Sequence, residues 1–344
     1  MEKVSILVVD DSFFMRKIIS DILNSEPIFK VVGEATNGNE ALQKINELKP
    51  DVVTLDYEMP HLNGLETLKK IMEMSDPPPV IVVSGYVYEG ADITLDFLDN
   101  GAVDFILKPS GVLSLDMNKV QQQLIEKVKA AASVDPQKKI RLKTKRYGIS
   151  HALFKKNDGI VVIGSSTGGP AALQVILGQF PENFPLPVVL AQHLPKEFAD
   201  SFTERLSREC KLKVIRAKDG MPINPGTIYL APGGHDTETE LYNGKKVLKV
   251  VENNVDIETP SVNKLMISAA NIYSENTIGV ILTGMGNDGS LGMAQIKKRG
   301  GITLVQDKQT SVIYGMGKEV IEKKLADIIL PLDKIIEKIV EILS

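Results

Sequence analysis

The chain has 344 residues, a formal net charge of −4 and a single cysteine. That length exceeds one ordinary hydrophobic core and suits two domains. The near-balanced charge supplies no field to draw nucleic acid, and the lone Cys210 excludes an internal disulfide framework and fits a reducing cytoplasm. No apolar run is long enough to span a bilayer, and no signal peptide precedes the first strand, so a cytoplasmic protein without membrane insertion is expected.

The first third alternates strand-like and helix-like segments. Ile6–Val9 lead into the adjacent carboxylates Asp10 and Asp11, and Val52–Leu55 lead into Asp56. Val80–Val83 end in the hydroxyl of Ser84, and Phe105–Leu107 end in Lys108 followed by Pro109. Helices are predicted over Phe13–Asn24, Asn39–Leu48, Gly64–Met74 and Ala91–Asn100. Such βα alternation implies a parallel sheet whose polar strand ends gather at one edge. Three carboxylates there suit a hard cation such as Mg²⁺, and a lysine with a hydroxyl beside it suits a phosphoryl group on a carboxylate.

Leu115–Ala132 reads as a closing amphipathic helix that Ser133–Pro136 breaks. The basic stretch Gln137–Arg146 lacks interleaved aromatics and is read as a solvated linker rather than a nucleic-acid arm. The expected boundaries are 1–125 for the first domain, 126–156 for the linker and 157–344 for the second domain.

In the second domain, Ile160–Ile163 run into Gly164-Ser165-Ser166-Thr167-Gly168, with a helix predicted over Ala171–Phe180. The loop matches G-x-S-x-G formally, the turn that lifts a serine Oγ above a sheet edge. A glycine- and serine-rich turn ahead of a helix also suits a phosphate. Against that alternative, the spacing is not G-x-G-x-x-G and no Walker lysine follows. Gln192-His193 stand where a dinucleotide fold wants an acid. Two further strand-like runs end in groups that could serve the serine: His193 after Val188–Ala191, and Asp288 in Thr283-Gly-Met-Gly-Asn-Asp-Gly289. Nucleophile, base and orienting acid at three strand ends suit acyl transfer.

Of four histidines, His61 lies in the first domain and His151 precedes the second domain's first strand. His193 and His235, the latter in the loop Ala231-Pro-Gly-Gly-His-Asp236, compete as base. His193 is favoured because sequential strands usually neighbour in space. The order serine, histidine, aspartate is not that of the α/β-hydrolases. A terminal helix is predicted over Asp333–Leu343, burying Ile335, Ile336, Ile339, Val340 and Leu343. Met15 and Met293 are read as core residues.

On Asp10, Asp11, Asp56, Ser84, Lys108 and Pro109, residues 1 to about 120 resemble a response-regulator receiver domain. Residues from about 157 onward resemble the catalytic domain of the chemotaxis protein-glutamate methylesterases. The matching pieces are Gly164–Gly169, Gln192-His193, Ala231–His235 and Leu282–Gly289. The fold then expected is α/β, with two doubly wound parallel-sheet domains: a flavodoxin-like receiver and a Rossmann-like serine hydrolase.

The resemblance implies hydrolysis of glutamyl methyl esters on chemoreceptors and deamidation of receptor glutamines, in chemotaxis adaptation. It makes Ser166 the nucleophile, His193 the base and Asp288 the orienting acid. Thr167 and Met285 would serve the oxyanion through their backbone N–H groups, and His235 would serve substrate engagement. Asp56 becomes the phospho-acceptor, with Mg²⁺ on Asp10, Asp11 and Asp56 and a histidine kinase as phosphodonor. No cofactor is expected at the hydrolase site. Ser84, Phe105 and Lys108 would form the receiver's switch, with Phe105 where receivers often carry a tyrosine. The competing function class is a signalling protein whose second half only binds a nucleotide or anion at the glycine loop.

Overall fold

The structure, a computed structural model, describes residues 3–85, 90–108, 116–134, 158–253 and 258–344. Pro109, the basic stretch 137–146 and His151 lie outside the described residues. The chain divides into two compact units, Met1–Ile140 and Arg141–Ser344. Among the described residues no helix is long and apolar enough to cross a membrane.

The first unit runs β1 (Val4–Val9), α1 (Phe13–Ser25), β2 (Phe29–Ala35), α2 (Gly38–Leu48), β3 (Val52–Asp56), α3 (Gly64–Met72), β4 (Val80–Ser84), α4 (Gly90–Asp99), β5 (Asp104–Leu107) and α5 (Asp116–Ala131). Its strands form one parallel sheet in the order β2-β1-β3-β4-β5. Val52, Val53 and Leu55 on β3 and Val80, Ile81 and Val82 on β4 are fully buried, so both faces of the sheet are covered. This is why these strands read as near-continuous apolar runs. Ser12, Asn37 and Asn63 cap α1, α2 and α3, each accepting a backbone N–H three residues on.

Glycine is required where α3 begins, because a Cβ on Gly64 would sit 2.1 Å from the Asp56 carbonyl oxygen. The expected domain boundary at 125 falls inside α5. Leu124, Val128 and Ala131 bury that helix's inner face, so the first unit extends at least to the helix's end. Met15, expected in the core, is half-buried on α1.

The second unit contains β6 (Ile160–Ser165), α6 (Gly169–Leu177), β7 (Val188–Gln192), α7 (Ala199–Glu209), β8 (Lys213–Arg216) and β9 (Thr227–Leu230). It continues through β10 (His235–Tyr242), β11 (Lys245–Glu252), α8 (Val262–Tyr273), β12 (Thr277–Ile281), α9 (Ser290–Lys298), β13 (Ile302–Gln306), α10 (Met316–Glu322), β14 (Ile328–Leu330) and α11 (Ile335–Leu343). Seven strands form a parallel sheet in the order β14-β13-β12-β6-β7-β9-β8. From β6 the chain builds outward through β7, then returns to add β12 on the opposite side. The strand order therefore reverses at β6, and open α/β sheets place their crevice at the carboxyl ends beside such a reversal.

Beside the expected parallel sheet stands one further element. β10 and β11 form an antiparallel hairpin through Asn243-Gly244, both at positive φ (49° and 75°). His235, expected in a loop, begins β10. Met293 is fully buried in the core with Val162, Val189, Leu265 and Met266. The five apolar positions expected on the terminal helix are all buried in α11, although its first turn, Leu332–Lys334, is a 3₁₀ turn.

Candidate active site

Register aligns three carboxyl ends in the second unit. Ser165 on β6 pairs with Gln192 on β7, and Gly164 pairs with Ile281 on β12. The next residue after β6 is Ser166 and after β7 is His193, while Asp288 closes the loop after β12. Gly168, at φ 74°, turns the chain from β6 into α6 and leaves Ser166 half-exposed at the rim. The Ser166 N–H donates to the Thr283 carbonyl (3.1 Å) and the His193 N–H to the Ser165 carbonyl (3.1 Å), which ties the three loops together.

Ser166 Oγ lies 3.2 Å from His193 Nδ1, and His193 Nε2 lies 2.9 Å from Asp288 Oδ2. Asp288 sits on the N-terminus of α8. Its carboxylate accepts the backbone N–H groups of Val262 (2.7 Å), Asn263 (2.8 Å) and Gly289 (3.0 Å). Burial acts to raise its pKa, but the His193 contact and those N–H bonds outweigh it and hold the carboxyl below its ordinary value. An ionised carboxylate only accepts, so Nε2 carries the imidazole proton and Nδ1 presents its lone pair to the Ser166 hydroxyl. Compared with the serine-protease arrangement, the two ring nitrogens exchange partners.

The neighbouring serine is a different kind of group. Ser165 is fully buried and donates its hydroxyl to Gln192 Oε1 at 2.7 Å. The turn Gly284-Met285-Gly286 lies against Ser166. A Cβ on Gly284 would meet Ser166 Cβ at 2.9 Å and Met316 Sδ at 2.3 Å. The Gly284 carbonyl accepts from Gly315 and Met316 N–H groups, both at 2.9 Å, which fixes this turn. Thr167 is buried and Met285 half-buried, and the Thr167 carbonyl accepts from Thr283 Oγ1 at 3.0 Å.

His235 Nδ1 lies 2.9 Å from the carbonyl of Gly233, two residues before it, and the imidazole brought to Ser166 is that of His193. His61 is exposed in the first unit. Two contributors escaped the sequence. The α8 N-terminus cradles Asp288, and buried Asp236 accepts from Ser261 N–H (3.0 Å) and Lys264 Nζ (2.5 Å), which anchors that helix start. Pro260-Ser261 ahead of an apolar helix signals an N-cap, but nothing in sequence ties that cap to Asp288.

The first unit gathers its own polar edge. Asp10, Asp11 and Asp56 each place a carboxylate oxygen within 4.8 Å of the others. Arg16 donates to the carbonyls of Asp10 (2.8 Å) and Asp11 (3.0 Å) and so fixes the loop bearing the acid pair. Lys108 Nζ lies 2.8 Å from both Asp10 and Asp56, and its N–H donates to the carbonyl of buried Ser84. Phe105 is buried, with Lys127 Nζ 5.2 Å from its ring centroid and bonded to its carbonyl at 2.7 Å. Three oxygen donors, with one ammonium shared between two of them, fit a hard divalent cation.

Burial, aided by the charge of Asp10, pushes Asp56 up to about 6 despite Lys108. The unfolded value is near 3.9, so Asp56 contributes stability that is complete below that pH and lost as pH rises through about 6. Asp56→Asn is therefore expected to raise the melting temperature of metal-free protein at about pH 8 more than at about pH 4. A gain independent of pH in thermal denaturation would contradict the buried-charge account.

A family model described as CheB methylesterase matches residues 161–339, and one described as a response regulator receiver domain matches residues 6–117. The protein-glutamate methylesterase/protein-glutamine glutaminase of Thermotoga maritima is 45% identical, over 98% of this chain and 98% of its own. That of Pyrococcus abyssi is 42% identical, over 98% of this chain and 93% of its own. The crystal structure of the Thermotoga maritima CheB methylesterase catalytic domain matches with a TM-score of 0.53 and 42% identity. It covers 54% of this chain and 100% of that one. With both domain types matched in order and relatives aligned over nearly its full length, the chain belongs to the CheB family of protein-glutamate methylesterases/protein-glutamine glutaminases.

Proposed function

We propose that this protein is a phosphorylation-activated serine hydrolase of the cytoplasm that removes glutamyl methyl esters from chemoreceptors and deamidates receptor glutamines in chemotaxis adaptation. The observation that carries this is the unbroken chain from Ser166 Oγ through His193 to Asp288, at 3.2 and 2.9 Å. Ser166 attacks the ester carbonyl carbon as His193 Nδ1 takes its proton, and Asp288 stabilises the imidazolium. The N–H groups of Thr167 and Met285 receive the oxyanion. Collapse of the tetrahedral intermediate breaks the bond to the methoxy oxygen, which leaves as methanol with the proton from His193. Water then attacks the acyl-enzyme as His193 takes its proton, and His193 returns that proton to Ser166 Oγ as the acyl bond breaks, releasing a glutamic acid that ionises to the carboxylate. With glutamine the leaving group is ammonia. His235, at the start of β10, engages the substrate rather than the proton.

The first domain is the receiver, joined through a linker beyond α5 to the catalytic domain. Asp56 accepts a phosphoryl group from a histidine kinase, Lys108 and Ser84 contact that group, and Phe105 completes the receiver's switch. Asp10, Asp11 and Asp56 would hold Mg²⁺, which when bound offsets the negative charge gathered there. Methanol release from a methylated receptor fragment tests the proposal. Wild type is expected to release methanol, several-fold faster with a small-molecule phosphodonor and Mg²⁺, and Asp56→Asn is expected to lose that stimulation. A protein that releases no methanol yet binds a nucleotide at its 164–168 loop would replace this function with the anion-binding one.

A further inference from the structure

At the end of β7, Gln192 is buried and its carboxamide spans the site from below. Oε1 accepts the Ser165 hydroxyl at 2.7 Å. Nε2 donates to the Ser166 carbonyl at 2.9 Å and to the His193 carbonyl at 3.0 Å. One side chain thus grips the backbone on both sides of the nucleophile-to-base gap. The fold reserves space for it. A Cβ on Gly169, the first residue of α6, would fall 1.9 Å from Gln192 Oε1, so glycine there admits the amide.

The grip has a directional consequence. In a trans peptide the C=O of one residue and the N–H of the next point in opposite directions. The Ser166 carbonyl is turned inward, accepting from both Gln192 Nε2 and the Gly169 N–H (2.7 Å). The Thr167 N–H of the same peptide unit therefore points away from Gln192. Reversing that peptide would aim a carbonyl at the developing oxyanion, a repulsion in place of a donor.

We propose that Gln192 is a positioning residue that sets the orientation of the Ser166–Thr167 peptide, and so of the Thr167 oxyanion donor. It touches neither substrate nor reacting atoms. The proposal rests on the hydrolase function given above. Loss of a single oxyanion donor typically lowers kcat by about 10²–10³-fold, which bounds the effect of releasing this peptide.

The test compares Gln192→Met, Gln192→Glu and Ser165→Ala in the full-length protein, with active sites counted by burst titration. Gln192→Met keeps the length of the side chain and deletes its hydrogen bonds. Gln192→Glu keeps the acceptor for Ser165 and deletes both donor bonds, and it decides the matter if the Met variant does not fold. Both are expected to lower kcat per titrated site by roughly 10²-fold with KM within about threefold. Affinity for a trifluoromethyl ketone analogue, which forms the tetrahedral oxyanion, is expected to fall in parallel with kcat/KM. Ser165→Ala leaves the donor bonds in place and is expected to stay within about fivefold of wild type.

A merely structural role would lower the melting temperature and the number of titratable sites while leaving kcat per site near wild type; that result overturns the proposal. Ser165→Ala falling as far as Gln192→Met would also overturn it. If Ser166→Ala itself still turned over, the hydrolase assignment would fail instead, so the two failures are distinct.

Discussion

Ser166→Ala is expected to reduce ester hydrolysis by at least ~10⁴-fold, leaving only what the oxyanion donors and substrate binding supply. The loss should fall on kcat, because the hydroxyl is needed for bond formation and makes no more than a minor contact in the ground state. Folding should be untouched, since the side chain is half-exposed and its backbone N–H to Thr283 is retained. Ser165→Ala is the matched control. Its hydroxyl is fully buried against Gln192 and is not presented to solvent, so its loss should cost far less. Methanol release by the two variants, each checked for a wild-type melting temperature, decides the matter. Activity surviving in Ser166→Ala and vanishing in Ser165→Ala would move the nucleophile by one residue.

The second large effect concerns the pair behind the serine. His193→Gln is expected to lower kcat by roughly 10⁶-fold and Asp288→Asn by roughly 10⁴-fold, the scale seen when a triad loses its base or its orienting acid. In the double variant the loss should be close to that of the worse single variant rather than their product, because the groups act as one proton-handling unit. Asparagine at 288 is more than a lost charge. The carboxylate accepts backbone N–H groups through both oxygens, whereas an asparagine must turn an NH₂ toward some of those donors. Multiplicative losses in a double-mutant cycle would mean that His193 and Asp288 serve separate steps.

Most of the residues at both sites are legible in the sequence for a single physical reason. In a parallel sheet covered on both faces, the interior of each strand is apolar, so the first polar residue after each run is a strand end. Asp10, Asp56, Ser84 and Lys108 announce themselves that way, Ser166 and His193 each stand one residue past the first polar one, and parallel strands bring such ends to one edge. The residues that shape the site from beneath are not legible so. Gln192 reads as an ordinary polar residue until its two donor bonds are seen. The hairpin escaped because β10 buries Thr237 and Thr239 where a strand usually buries apolar side chains, so its period of two carries no hydrophobic signal. β14 has only three residues and β8 begins and ends in charge, too little for periodicity to register. The cradle for Asp288 joins residues 25 or more positions apart, a relation that no local pattern encodes.

The spacing of the triad along the chain has a consequence for how the protein comes into being. Serine and imidazole are 27 residues apart, but the carboxylate comes 95 residues after the imidazole. β12, which carries it, docks directly on β6, the unit's first strand. A growing chain therefore displays the proposed nucleophile and base long before the carboxylate that would orient them. Closing so long a loop is among the slower steps of folding, because chain entropy is lost before the contact repays it. Hydrolytic competence thus arrives late, as a property of the finished sheet. A partly made or misfolded copy carries the serine without the means to use it.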